Sequence, residues 1–247
     1  MEAFEQATLS CGLRVIYEHK PSAVLYCGYV VCAGTRHEDV ADSGMAHFIE
    51  HVTFKGTERR RACHITNGLE RVGGDLNAYT TKQETVYYAT VLKKDFARAA
   101  DLLTDIVFHS VYPQGEIDRE VEVICDEIDS YKDSPSELIF DEFEAMMFDG
   151  QPLGRDILGN AERLRQYTTA DALRFARNYY RPENAAFYVY GDVPFSQVVR
   201  TLERLLPVAD FAQRPAFVAP QMVIPCAQTH KNERMVEKGT HQAHVLV

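Results

Sequence analysis

The sequence predicts an α+β fold, a mostly antiparallel sheet of about five to six strands packed with helices. Stretches rich in β-branched and aromatic residues are interspersed with longer stretches whose apolar residues recur at helical spacing. Two of the strand-like stretches are separated only by a polar turn, which reads as a hairpin. At 46% apolar residues over 247 positions, the chain can build a sizeable core.

Residues 13–17 (LRVIY) and 23–33 (AVLYCGYVVCA) predict a strand, a turn over HKPS and a second, longer strand. GTRHEDVADSG reads as loop, with Ser43 as N-cap of the following helix and Gly56 as its stop. A second helix fits 61–72 and is closed by Gly73 and Gly74. DLNAYTTKQETVYYATVL supplies the hairpin, with strands at 75–80 and 85–92. Helical periodicity then covers 94–110, 113–131 behind a helix-starting Pro113, 135–148 and 171–180. AAFYVYGDV is a strand with a glycine stop, and FSQVVRTLERLLP closes the unit as a helix.

After Leu206 the character changes. Residues 1–210 read as one domain, and 211–247 as a proline-bearing linker followed by the opening strands of a second. His241 and His244, in the closing HQAHVLV, read as strand residues and not as ligands.

Composition removes several classes of function. No stretch approaches the roughly 18 consecutive apolar residues of a membrane helix, and the acidic start lacks the features of a signal or transit peptide. A net charge of −10, with no basic patch beyond KGTERRR, argues against general nucleic-acid binding. Six scattered cysteines (Cys11, Cys27, Cys32, Cys63, Cys125, Cys226) without a CxxC pair read as reduced thiols, which points to the cytoplasm.

The stretch GMAHFIEHVTFKGT carries the chemistry. On a helix advancing about 100° per residue, Met45, Phe48, Ile49 and Val52 form one apolar stripe. His47, Glu50 and His51 fall together on roughly the opposite side. Histidines at i and i+4 project in parallel with Cβ atoms about 6 Å apart, as two imidazoles sharing one zinc ion require. Glu50 lies on the same face, placed to act as base toward a metal-activated water. Five residues alone could equally be a solvated helix face, so a third ligand is needed. The helix over 117–131 offers Glu120 and Glu127, one heptad apart along the edge of an Ile117, Val121, Ile124 and Ile128 stripe. A carboxylate at a core edge needs a partner, and a cation is one. Glu122 and Asp126 point further around, toward solvent.

With these residues placed, the chain resembles the M16 family of zinc metallopeptidases, the inverzincins, whose signature is His-x-x-Glu-His. The family includes pitrilysin, insulin-degrading enzyme and the mitochondrial processing peptidase. The likeness runs in order from about residue 10 to 210. It covers GMAHFIEHVTFKGTERR, GGDLNAYTTKQETVYY, EIDREVEVICDEIDSYKDSP, PLGRDILGNAERL and YYRPENAAFYVYGDV. The resemblance implies the LuxS/MPP-like metallohydrolase fold and one zinc ion held by His47, His51 and Glu127, the last 76 positions after His51. It makes Glu50 the general base and Glu120 a support for the site from behind the ligands. Asn77, Ala78 and Tyr79 match the edge strand on which family members dock an extended peptide. Asn77 and Glu84 could instead only fix the hairpin, the reading preferred for Glu84.

The implied function is a zinc-dependent endopeptidase or oligopeptidase acting on extended peptides. The implied partner is a second M16-type domain or subunit, a homodimer being one form of it, that completes the active site with an Arg and a Tyr. VEKGTHQAHVLV resembles the opening of that second domain, so the chain reads as an N-terminal portion, weakly active or inactive alone. A non-catalytic scaffold or assembly subunit of the same fold is the alternative, although such relatives usually lose zinc-binding or base residues and this chain keeps all four. A small-molecule lyase resembling LuxS shares the motif but would want a much shorter chain.

Overall fold

The computed structural model describes residues 4–211, 217, 233–237, 239 and 242–247. Six strands, β1 (Glu5–Thr8), β2 (Arg14–His19), β3 (Val24–Val31), β4 (Asp75–Thr80), β5 (Thr85–Leu92) and β6 (Ala185–Gly191), form one sheet in the order β1-β2-β6-β3-β5-β4. All neighbours are antiparallel except β2 and β6, so the sheet is mixed, as the sequence predicts in its antiparallel bias and strand number. Strand β6 enters last and wedges between β2 and β3. Residues 185, 187, 189 and 191 face the core, giving a strict alternation of buried and half-buried positions.

The helices are α1 (Met45–Thr53), α2 (Ala62–Glu70), α3 (Phe96–Phe108), α4 (Gln114–Lys132), α5 (Pro135–Met147), α6 (Ala161–Leu164), α7 (Thr169–Tyr179) and α8 (Phe195–Leu205). Helix α3 packs beneath β3 and β5, where the Tyr29 hydroxyl meets Thr104 Oγ1 at 2.8 Å. A second buried polar pair, Tyr87 Oη to Tyr180 Oη at 2.9 Å, satisfies two hydroxyls that burial would otherwise strand. The opposite sheet face keeps Ile16, Tyr26 and Tyr79 exposed.

The hairpin falls where the sequence places it, residue for residue. Thr81 N–H donates to Glu84 O and Glu84 N–H to Thr81 Oγ1, so the backbone of Glu84 closes the turn. Gly73, at φ 71°, ends α2, and Gly74 N–H reaches back to Leu69 O. One strand lies outside the sequence expectations, and two expectations differ. Strand β1 (EQAT) carries no apolar pattern because it is a mostly exposed edge, fixed only by its pairing with β2. The α1 cap is not Ser43: Gly44, at φ 80°, occupies that place, and a distant carboxylate supplies the acceptor. Residues 242–247, where the sequence predicts a strand, form none among the described residues. His244 lies in that segment; His241 and most of the expected linker lie outside the described residues.

Candidate metal centre

Helix α1 is fixed from both ends. At its start, Glu38 reaches across the loop and accepts the N–H groups of Gly44 at 3.0 Å and Ala46 at 2.8 Å. This satisfies donors a helix leaves unpaired in its first turn. Burial pushes the Glu38 carboxyl up to about 8, against the two backbone donors and Arg155. The Arg155 guanidinium in turn donates to Glu38 O. Gly44 must be glycine for a second reason: a Cβ there would lie 2.7 Å from Leu158 O. Beyond the helix end, Thr57, Arg59 and Arg60 all bond Asp105 of α3, which is fully buried. Burial raises the Asp105 carboxyl, but the Thr57, Arg60 and Arg59 donors outweigh it and hold it below the usual aspartate range.

Between these anchors the apolar stripe behaves as the sequence predicts: Met45, Phe48, Ile49 and Val52 are wholly buried. The opposite face is not a wet one. Helix α4 and strand β4 pack over it, leaving His47 only 7% exposed. His47 Nε2 and His51 Nε2 face each other at 3.2 Å. Glu127 Oε2 lies 3.3 Å from His51 Nε2 and 3.8 Å from His47 Nε2, and these three ligand atoms lie within 4.8 Å of one another. A tetrahedral zinc with bonds of about 2.0–2.1 Å separates its ligand atoms by about 3.3 Å, so the donor set fits the ion without rearrangement.

The surroundings fix the imidazoles. Glu120 Oε1 lies 3.1 Å from His51 Nδ1, and Lys55 Nζ holds the other Glu120 oxygen at 2.6 Å. A proton on Nδ1, shared with that carboxylate, leaves the Nε2 lone pair facing the centre. His47 Nδ1, by contrast, is buried with no hydrogen-bond partner among the described residues. Burial, then the neighbouring His51 charge, push His47 down to about 4. Burial also disfavours charge on His51, but Glu120 and Glu127 outweigh it and raise that imidazole to about 9. Without metal an extra proton is therefore favoured on His51 over His47. Glu127 is held below the usual glutamate range by its bond to His51.

Glu50 lies beside the cluster without joining it. Thr80 Oγ1, on β4, donates to Glu50 Oε2 at 2.6 Å, and burial raises the Glu50 carboxyl despite that donor and the His51 charge. The Thr80 contact escaped the sequence reading although Thr80 sits within the DLNAYTT block; Glu38 and Arg155 escaped it too, their contacts spanning a loop and over a hundred residues.

Asn77, Ala78 and Tyr79 lie on β4, one of the two edge strands of the sheet among the described residues, beside α1. Ala78 N–H turns away from β5 and donates to Asn77 Oδ1 at 2.8 Å. Tyr79 is half exposed and meets Tyr88 edge-on. The structure therefore brings His47, His51, Glu120 and Glu127 into one cluster, sets Glu50 beside it, and places Asn77, Ala78 and Tyr79 on β4.

Two histidines and a glutamate around a single point, with a second carboxylate, Glu50, alongside, make a donor set of the metallohydrolase type on a mixed sheet. Comparison with known proteins names the class further. The model described as "Insulinase (Peptidase family M16)" matches residues 14–161, and that described as "Peptidase M16 inactive domain" matches 166–247. The chain belongs to the M16 peptidase family. It is 32% identical over 223 residues to an uncharacterized zinc protease of Rickettsia felis, covering 90% of this chain and 54% of that protein. It is 36% identical over 199 residues to a probable mitochondrial-processing peptidase subunit beta of Arabidopsis thaliana, covering 80% of this chain and 38% of that protein. Among solved structures, a protease from Helicobacter pylori superposes with a TM-score of 0.79 at 23% identity over 92% of this chain and 54% of that one, a likeness of fold. The chain spans about half the length of the curated relatives it matches.

Proposed function

We propose that this chain carries the zinc-binding half of a metallopeptidase that hydrolyses extended peptides. The observation that carries the reading is the convergence of His47 Nε2, His51 Nε2 and Glu127 on one point with Glu50 beside them. One zinc ion held by those three residues would supply Lewis acidity, bringing the acidity of a bound water into the neutral range. Glu50 takes the proton of the attacking water and delivers it to the leaving amine; its raised carboxyl suits it to both steps. Thr80 aims that carboxylate, while Glu120 and Lys55 hold His51 in the ligating tautomer. A substrate backbone pairs with the free edge of β4 at Asn77, Ala78 and Tyr79, which selects extended segments over folded ones. A second M16-type domain or subunit completes the substrate clamp; that the chain spans only about half the length of its relatives supports this. A cytoplasmic setting belongs to the same proposal.

The test is Glu50→Gln in the full-length protein. Zinc content stays at one ion per chain, while peptide cleavage falls by about 10²–10⁴. Retained cleavage, or zinc lost together with activity, would overturn the role given to Glu50.

A further inference from the structure

Helices α2 and α3 enclose a groove of about 440 Å³ that shares no residue with the metal centre. Its walls carry three arginines, Arg60, Arg71 and Arg98, together with His64 and a single acid, Asp101. That acid is already engaged by two guanidiniums, Arg59 at 3.2 Å and Arg60. Arg71 and Arg98 are exposed and make no ion pair among the described residues, so two uncompensated cations face one cavity in a chain of net charge −10. Like charges turned into a shared space repel until an anion lies between them. The first turn of α3, which holds Ala97 and Arg98, adds the positive end of a thirteen-residue helix. Ala97 and Gly68 give the groove an apolar part; a Cβ on Gly68 would come 2.8 Å from buried Leu102 Cδ2, so the glycine lets the helices approach closely.

Guanidinium groups match phosphate oxygens bidentately, and the cavity volume exceeds what a lone phosphate fills while lying in the small-ligand range of about 300–1,000 Å³. We propose that the α2–α3 groove binds a diphosphate-bearing small molecule of nucleotide size, with Arg71 and Arg98 gripping the phosphates and exposed Ala97 beside the apolar body. The site is independent of the peptidase reading.

The experiment is calorimetric titration of the full-length protein with ADP, inorganic pyrophosphate and adenosine, at low and raised NaCl. ADP binds, and its affinity falls with salt. The double variant Arg71→Gln/Arg98→Gln loses at least tenfold, whereas Arg177→Gln/Arg200→Gln, an equal charge change at exposed positions of α7 and α8, loses less than twofold. Pyrophosphate binding as tightly as ADP assigns recognition to the phosphates alone, and weaker binding adds the apolar body; both sustain a diphosphate site. Because a diphosphate also ligates zinc, the titration is repeated after chelation, with unchanged affinity expected. Independently, ADP protects Arg71 and Arg98 from phenylglyoxal, read by peptide mass mapping. No binding of ADP, binding lost with the metal, undiminished binding in the double variant, adenosine matching ADP, or absence of protection would each overturn the proposal.

Discussion

The two helices that meet at the metal centre are held in opposite ways. Helix α1 is nine residues long, with seven of them buried, clamped by Glu38 at its start and tied through Thr57, Arg59 and Arg60 to buried Asp105 beyond its end. Helix α4 is nineteen residues long, with only five buried, and presents Glu127 with its side chain 44% exposed. The histidines therefore sit in a rigid seat, and the carboxylate arrives on an arm that solvent can reach. A short helix this isolated would be marginal in water, so its order comes from tertiary anchors. The contrast assigns geometry to α1 and adjustability to α4.

The largest expected effect breaks that contrast at its centre. His51→Ala should reduce zinc affinity well beyond the roughly 10–100-fold typical of groups that merely support a ligand. Glu127→Asp, on the adjustable arm, should stay within about that range; metal titration with a competing chelator measures both. Equal losses would mean that the two helices are equally rigid.

Next comes the anchor beyond α1. Asp105→Asn takes the buried charge away from Arg59 and Arg60, which solvent still reaches, and should cost about 1–3 kcal/mol, read by denaturant unfolding. The Asp105 carboxyl is depressed in the fold, so its stabilisation is complete above the unfolded value of about 3.9 and is lost as pH falls through the folded value. The variant should accordingly show a shallower loss of stability in acid than the parent.

A smaller, graded effect comes from pH at the centre itself. His51 titrates at about 9 when metal-free, and zinc must displace that proton. Zinc affinity should therefore rise by about tenfold per pH unit between 7 and 8 and flatten near 9, as each unit corresponds to about 1.4 kcal/mol. A flat profile over that interval would mean that His51 is already neutral. The smallest effect is Glu38→Ala, which removes the α1 cap and should cost about 0.5–2 kcal/mol by thermal melting.

What could be read from the sequence follows the same division. The apolar stripe of α1 is a local, periodic signal, and the β4–β5 hairpin is bounded by its own turn, so both were legible to the residue. Glu127 was legible as one of two heptad-spaced carboxylates, with the family resemblance choosing between them. Strand β1 was not, because an exposed polar edge exists only through its neighbour. Helix α6, four residues capped by Asn160, is too short to show a period. The cap of α1 was misplaced onto Ser43 because the nearest suitable side chain is the obvious one, whereas Glu38 acts through a loop whose folding no local pattern encodes. Thr80 was visible as a residue, but its bond to Glu50 depends on how α1 lies against β4, a packing fact.

The backbone contact at Gly44 with Leu158 and Gly159 has a rotational consequence. A helix turns about 100° per residue, so sliding α1 by half a residue would swing both imidazoles about 50° away from Glu127. By letting the 158–159 loop press directly on the first turn, Gly44 acts as an index stop that sets the angular phase of the whole helix. A side chain at this position would mistune the metal centre from a place that never touches it.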